Sequence, residues 1–164
     1  MPVLRSGAGQ YTELDPIPAA PGRPIETIDG TVLDLGAHRG RLVVLNFWAT
    51  WCPGCVVEMP SLDRLAMADQ GLAILPVCMD KGGRIAAAAF YRRHGLSTLP
   101  LITDPAEHIG HFRTGNPNEA PFALHAMPIT YLIDPWLQVR GYVPGVVDWQ
   151  SGAAAALLQA LSAE

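Results

Sequence analysis

The sequence predicts an α/β domain with a mixed central sheet flanked by helices and a β-hairpin extension at its amino-terminal side. Three observations support this. Two nearly continuous apolar runs, Arg41 to Trp48 and Leu72 to Met79, each precede a helix-length segment. Runs of that kind fit strands buried on both faces. Two further apolar segments, Ile129 to Ile133 and Leu137 to Tyr142, meet at Asp134-Pro135 like a hairpin. A β-α-β crossover followed by a β-β pair and a closing helix gives parallel and antiparallel neighbours in one sheet.

Taken in order, residues 1–24 hold five of the 15 prolines. Proline removes amide donors and fixes φ, so this stretch reads as an extended, loosely packed Pro-rich arm, with the folded domain spanning 25–164. Ile25 to Ile28, Asp29-Gly30 and Thr31 to Leu35 read as a hairpin, because Asp-Gly suits a tight two-residue turn. Residues 53–69 read as a helix. Pro53 sits where a missing N–H costs nothing, and Pro60 predicts a kink. In the run Leu72 to Met79, Pro76 argues against an unbroken central strand. Gly83 to His94 is an Ala-rich helix ended by Gly95. Residues 100–127 are irregular, with short helices expected near 105–112 and 118–125. Trp149 to Ser162 closes the chain as an Ala- and Leu-rich helix.

Composition narrows the function. Of 164 residues, 49% are hydrophobic, which is enough for a core and excludes a disordered tail protein. The net charge is -4, and the sequence shows no basic cluster beyond Arg92-Arg93, so no grip on nucleic acid is expected. No apolar run approaches the roughly 20 residues that span a bilayer. The amino-terminal MPVLRSGAGQ has one Arg and no apolar stretch, so no secretory signal or anchor is read in the sequence as written.

Three cysteines are too few for a disulfide scaffold. Cys52 and Cys55 form a C-x-x-C unit at a predicted helix start, leaving Cys78 on a buried strand. The unpaired N–H groups and positive dipole end there favour a thiolate at Cys52. Helix N-termini can lower a thiol pKa from near 8.5 to roughly 3.5–7.5. Cys55, one turn deeper on the same face, can attack a mixed disulfide and resolve it. Pro53 and Gly54 between them set which backbone N–H groups are available. The competing reading is half a zinc or copper site, completed by Cys78 or by His108 and His111. The spacing favours it little, and no metal or cofactor is expected.

The segment Asn46-Phe47-Trp48-Ala49-Thr50-Trp51-Cys52-Pro53-Gly54-Cys55 followed by Glu58-Met59-Pro60 resembles the thioredoxin superfamily, most of all its TlpA/ResA/DsbE branch. Gly30, Leu33 and Gly40 upstream, and Met127-Pro128-Ile129-Thr130-Tyr131-Leu132-Ile133-Asp134 downstream, fit the same pattern over about residues 25–162. The resemblance implies a thioredoxin-like fold and a thiol-disulfide oxidoreductase, with Cys52 attacking and Cys55 resolving. It implies a cis Met127-Pro128 bond facing the cysteines, with Met127 backbone groups open to an extended partner segment. Trp51, Pro53, Gly54, Met127 and Pro128 would form the surface that meets the partner.

The resemblance also places Glu58 near the site, able to take or return the Cys55 proton; an exposed helix carboxylate is the plainer alternative. Thioredoxin itself has a buried Asp where this chain has Asn46, which cannot titrate. Residues 104–126 form an insert longer than the branch usually carries. Trp48 and Cys78 read as core, and His125 as a neighbour of the cis-proline. The branch implies a periplasmic or extracytoplasmic reductant of cytochrome c or oxidase copper-centre maturation type. Its substrates would be protein disulfides, and its electrons would come from a membrane thiol donor. Two other classes stay open. A Sco-type copper chaperone would show tight Cu(I) binding, but its pair is C-x-x-x-C. A peroxiredoxin-like peroxidase would consume peroxide, but its pattern has Thr or Ser where Ala49 stands.

Overall fold

The computed structural model describes residues 3–5, 9–68, 71–112 and 115–163. Pro2, the helix end expected at residue 69, and positions 113–114 of the insert lie outside the described residues. Among the described residues, ten strands, three α-helices and one short 3-10 turn (Leu35–His38) follow one another. They are β1 (Thr12–Glu13), β2 (Ile25–Glu26), β3 (Val32–Leu33), β4 (Leu42–Trp48), α1 (Pro53–Met67), β5 (Leu72–Cys78) and α2 (Gly83–His94). After them come β6 (Ile102–Thr103), β7 (Gly110–His111), β8 (Phe122–Ala123), β9 (Ile129–Ile133), β10 (Val139–Pro144) and α3 (Gly152–Ala163). The main sheet has the order β1-β10-β9-β4-β5-β6. Strand β4 runs parallel to β5 and antiparallel to β9, so the sheet is mixed.

The β4 sequence explains its central place. All seven of its residues are buried. Leu42, Val44 and Trp48 point into one core, which the buried faces of α1, α2 and α3 complete. Val43, Leu45 and Phe47 point into a second core, closed by Leu33, Leu35, Ile109, Phe122 and Leu124. The period of two thus splits one apolar run between two cores. All three helices contribute to the first core, while the hairpin and the insert cover the other face. Trp48 is fixed by Phe90 and Tyr91, at ring separations of 4.9 and 5.9 Å. Pro76 is tolerated because β6 pairs only with Val77 and Cys78, leaving no strand beside Pro76 on that edge among the described residues.

Several expectations need correction. Strands β2 and β3 do pair, but their turn is a three-residue loop. The Thr27 N–H donates to the Thr31 carbonyl at 2.8 Å, and the Gly30 N–H donates to the Thr27 carbonyl at 3.1 Å. The amino-terminal arm is not loosely packed. Its β1 hydrogen-bonds along β10, and Leu4 and Tyr11 are buried.

Residues 100–127 form no helix among the described positions; they carry β6, β7 and β8 instead. Side chains there outcompete a helical ladder for the backbone. The Asp104 carboxylate accepts the N–H groups of His108, Ile109 and Gly110 at 2.7, 2.8 and 3.0 Å. Asn116 accepts the Ala120 N–H at 2.9 Å. Strand β10 starts two residues later than expected, because Asp134 accepts the N–H groups of Trp136 and Gln138 and Leu137 takes a positive φ of 63°. Helix α3 starts at Gly152, after Ser151 caps the Ala154 N–H at 3.1 Å. No helix among the described residues is long and apolar enough to cross a membrane.

Candidate active site

Strand β4 delivers the chain to the end of the sheet, and α1 begins after four intervening residues. Cys52 is the N-cap residue of α1, with extended backbone angles, and Pro53 occupies the first helical position. The Cys55 N–H donates to the Cys52 Sγ at 3.2 Å. The sulfur therefore does what a serine or aspartate oxygen usually does at a helix start. Cys52 and Cys55 are joined as a disulfide, with Cα atoms 5.2 Å apart. Cys55 is fully buried and Cys52 is 4% exposed. Cys52 is therefore the less enclosed residue of the pair.

Met127-Pro128 is cis, as the sequence pattern implies. It packs directly on the cysteine loop: a Cβ placed on Gly54 would lie 3.3 Å from Pro128 Cδ and 2.9 Å from Val146 Cγ2. Gly54 is thus required by close approach, and Val146 shares that wall with Pro128. Trp51, immediately before Cys52, is 60% exposed.

Glu58 is not the exposed helix carboxylate that was the plainer alternative. It is 1% exposed, one turn beyond Cys55 on the buried face of α1. Its Oε1 accepts from the Asn46 amide at 2.7 Å and its Oε2 accepts from the Val147 N–H at 2.7 Å. The Asn46 amide also donates to Thr130 Oγ1 at 2.9 Å. Burial pushes the Glu58 carboxyl up to about 7, against the opposing pull of the Val147 and Asn46 donors. A carboxyl poised there exchanges protons readily near neutral pH.

Cys78 is free and fully buried. Its thiol donates to Asp80 Oδ2 at 3.3 Å, and burial drives its pKa far above the usual thiol range. That makes it a poor nucleophile. His125 is exposed and its ring meets Tyr142 edge-on at 4.9 Å. His108 and His111 are partly buried in the insert, and no three His, Cys, Asp or Glu side chains among the described residues gather as a metal site.

The sequence reading missed three groups. Asp80 follows β5 and reaches across to the cysteine turn, accepting from the Thr50 N–H at 2.6 Å and the Thr50 hydroxyl at 2.8 Å. An acidic residue just after a strand and before a helix was the available signal. Val147 supplies a donor to Glu58 through its backbone, which no residue type announces. Phe112 of the insert lies beside Trp51, with ring centroids 6.5 Å apart.

Comparison with known proteins agrees with this geometry. The AhpC/TSA family model matches residues 18–141. The thiol-disulfide oxidoreductase ResA of Geobacillus kaustophilus is 30% identical over 130 residues, covering 78% of this chain and 68% of that protein. The thiol:disulfide interchange protein DsbE of Pseudomonas aeruginosa is 33% identical over 110 residues, covering 67% of this chain and 54% of its own length. The crystal structure of a DsbE-type protein from Chlorobium tepidum superposes with a TM-score of 0.66, covering 90% of this chain and 98% of that one. At 23% identity, that likeness speaks for the thioredoxin-like fold alone.

Proposed function

Because the chain belongs to the AhpC/TSA family and is a thiol-disulfide oxidoreductase acting on protein disulfides, we propose that Cys52 is its attacking thiol, Cys55 its resolving thiol and Glu58 the proton carrier for Cys55. The observation that carries this reading is the Cys52–Cys55 disulfide at the first turn of α1, backed by a buried carboxyl one turn further on.

In the reduced protein, the Cys52 thiolate attacks one sulfur of a partner disulfide. The partner S–S bond breaks, an intermolecular S–S bond forms, and the other partner sulfur leaves as a thiolate. Glu58 then takes the Cys55 proton, and the Cys55 thiolate attacks Cys52 Sγ. The mixed disulfide breaks, the second partner thiolate leaves, and the Cys52–Cys55 disulfide forms. Two electrons have moved to the partner. Trp51, Pro53, Gly54, Met127 and Pro128 meet the partner segment, with the Met127 backbone free to pair with it in extended form.

The direction we propose is reduction in an extracytoplasmic compartment. The substrates are haem-binding cysteines of an apocytochrome c or cysteines of an oxidase copper centre, and a membrane thiol carrier restores the electrons. Relatives named ResA and DsbE support this placement.

Trapping tests the assignment. Cys55→Ser should accumulate mixed disulfides through Cys52 and identify the partners by mass, while Cys52→Ser should accumulate none. Equal trapping by both variants would refute the roles given to the two sulfurs. A reduction potential near about −120 mV, that of a strong oxidant, would reverse the direction.

A further inference from the structure

We infer that the 104–126 insert supplies a specificity residue, Phe112, which reads a large apolar side chain next to the partner's cystine. The inference rests on the exchange reaction proposed above. Exposed apolar side chains carry information where they cluster rather than where they stand singly, and here two aromatics stand together at the residue that precedes Cys52. Trp51 precedes Cys52 in the chain, and Phe112, 37% exposed, faces it at a ring separation of 6.5 Å and a tilt of 44°.

The position of Phe112 is set by the loop beneath it rather than by its own burial. Asp104, fully buried, gathers the N–H groups of His108, Ile109 and Gly110. Strands β7 and β8 clip the loop down, through Phe122 N–H to the Ile109 carbonyl at 3.1 Å and Leu124 N–H to the His111 carbonyl at 2.8 Å. The Glu107 carboxylate, on a residue at a φ of 58°, accepts the Phe112 N–H itself at 2.7 Å. A buried carboxylate, a clipped strand pair and a residue in a sparsely populated backbone region all serve to bring one phenyl ring to the cysteine turn.

A partner cystine attacked by Cys52 must bring its flanking residues past Trp51. The exposed pair then forms an apolar step continuous with the exchange surface. It fits an aromatic or large aliphatic side chain flanking the partner cysteine.

The test is single-turnover exchange between the reduced protein and two peptides that share one disulfide, one flanked by Phe and one by Ser. Released peptide thiol is followed by mass. Reduced protein supplies both electrons, so no added reductant enters the step. For the Phe-flanked peptide, Phe112→Ala should slow the second-order rate roughly 2- to 12-fold, the worth of one aromatic contact. The Ser-flanked rate should stay within about twofold, and Phe112→Leu should recover most of the Phe-flanked rate. Equal losses on both peptides would make Phe112 a structural residue and overturn the inference, as would no loss on either. If the unaltered protein exchanges with neither peptide, the exchange reading itself falls and takes this inference with it. If it exchanges with both at one rate, only the inference falls.

Discussion

Two strand-to-helix turns stand side by side at the same end of the sheet. Strand β4 passes through Ala49-Thr50-Trp51-Cys52 into α1, and β5 passes through Met79-Asp80-Lys81-Gly82 into α2. Trp48 pairs with Cys78 in the parallel register, so the two turns start level. They are nevertheless finished differently. The first caps its helix with a sulfur, while Gly82 gives α2 no side-chain cap. The second turn's polar group, Asp80, accepts from the Cys78 thiol of its own strand and reaches over to the first turn, where it holds the Thr50 N–H and hydroxyl. Equivalent backbone positions therefore divide the work: one turn carries the chemistry and its neighbour braces it.

Cys52→Ser against Lys81→Ala should break that equivalence most sharply. The first should abolish exchange with a peptide disulfide, since a hydroxyl cannot form the mixed disulfide. The second alters an exposed residue of the neighbouring turn and should leave the rate within about twofold. Peptide-thiol release, measured on both variants, decides it. Comparable losses would mean the two turns work as one unit.

Glu58 extends the contrast along α1, because the buried face of α2, made of Gly83, Ala87, Phe90 and Tyr91, holds no carboxyl. With its pKa raised from 4.5 to about 7, the folded protein binds the Glu58 proton more tightly than the unfolded chain does. The stability tied to that proton is fully present below pH 4.5 and is lost as pH rises through about 7. The loss at pH 8 should reach at most about 3 kcal/mol, at 1.36 kcal/mol per pKa unit. Urea unfolding of the oxidised protein should show this decline across pH 4.5–7.5, and Glu58→Gln should remove it. A parallel decline in both proteins would assign the titration to another group. The same substitution should flatten the rise of the resolving step with pH between about 6 and 8.

The parts of this arrangement differ in how plainly the sequence announces them. Strand β4, helix α2 and the Cys52–Cys55 pair are each encoded by their own residues: an apolar run, an Ala-rich segment stopped at Gly95, and two thiols on one turn. The rest is encoded by partners distant in sequence. The Asp104 carboxylate collects three N–H groups of the stretch expected to be helical near 105–112, and nothing in that stretch itself announces this. Asp80 gains its role only because β5 lies parallel and in register beside β4. Glu58 could be placed on the face of Cys55 by spacing. Its burial depends on the loop at Val147, some ninety residues away in the chain. Local propensity writes the elements, and side-chain-to-backbone contacts across elements write the site.

Asp80→Ala puts the bracing role to measurement. It strands the Thr50 N–H and hydroxyl, and the loss of hydrogen bonds to a carboxylate in a partly buried turn should cost about 1–3 kcal/mol in urea unfolding. If the second turn braces the first, the exchange rate should fall as well, under conditions where the variant is fully folded. Asp80→Asn, which keeps one acceptor for Thr50, should restore part of both. Lost stability with an unchanged exchange rate would reduce Asp80 to a structural residue and leave the two turns independent.

The smallest effect lies at the far ends of the same two helices, where the contrast recurs in the backbone. Helix α1 runs out at Ala68 in ordinary right-handed geometry, with a φ of -68°. Helix α2 stops at Gly95 with a φ of 64°, and its cap N–H bonds back to the Tyr91 and Arg92 carbonyls. No atom lies within 4 Å of where a Gly95 Cβ would point, so Gly95→Ala meets no clash and its cost is conformational alone. That cost should be about 1–2 kcal/mol, the penalty of a left-handed non-glycine residue. Ala68→Gly at the end of α1 should cost less, about 1 kcal/mol or under, because only backbone entropy is lost. Paired urea curves test this, and exchange rates should not move in either variant. A Gly95→Ala protein as stable as its parent would mean that α2 can end without the left-handed turn. The contrast between the two helices would then rest on their starts and on Glu58, and not on how they end.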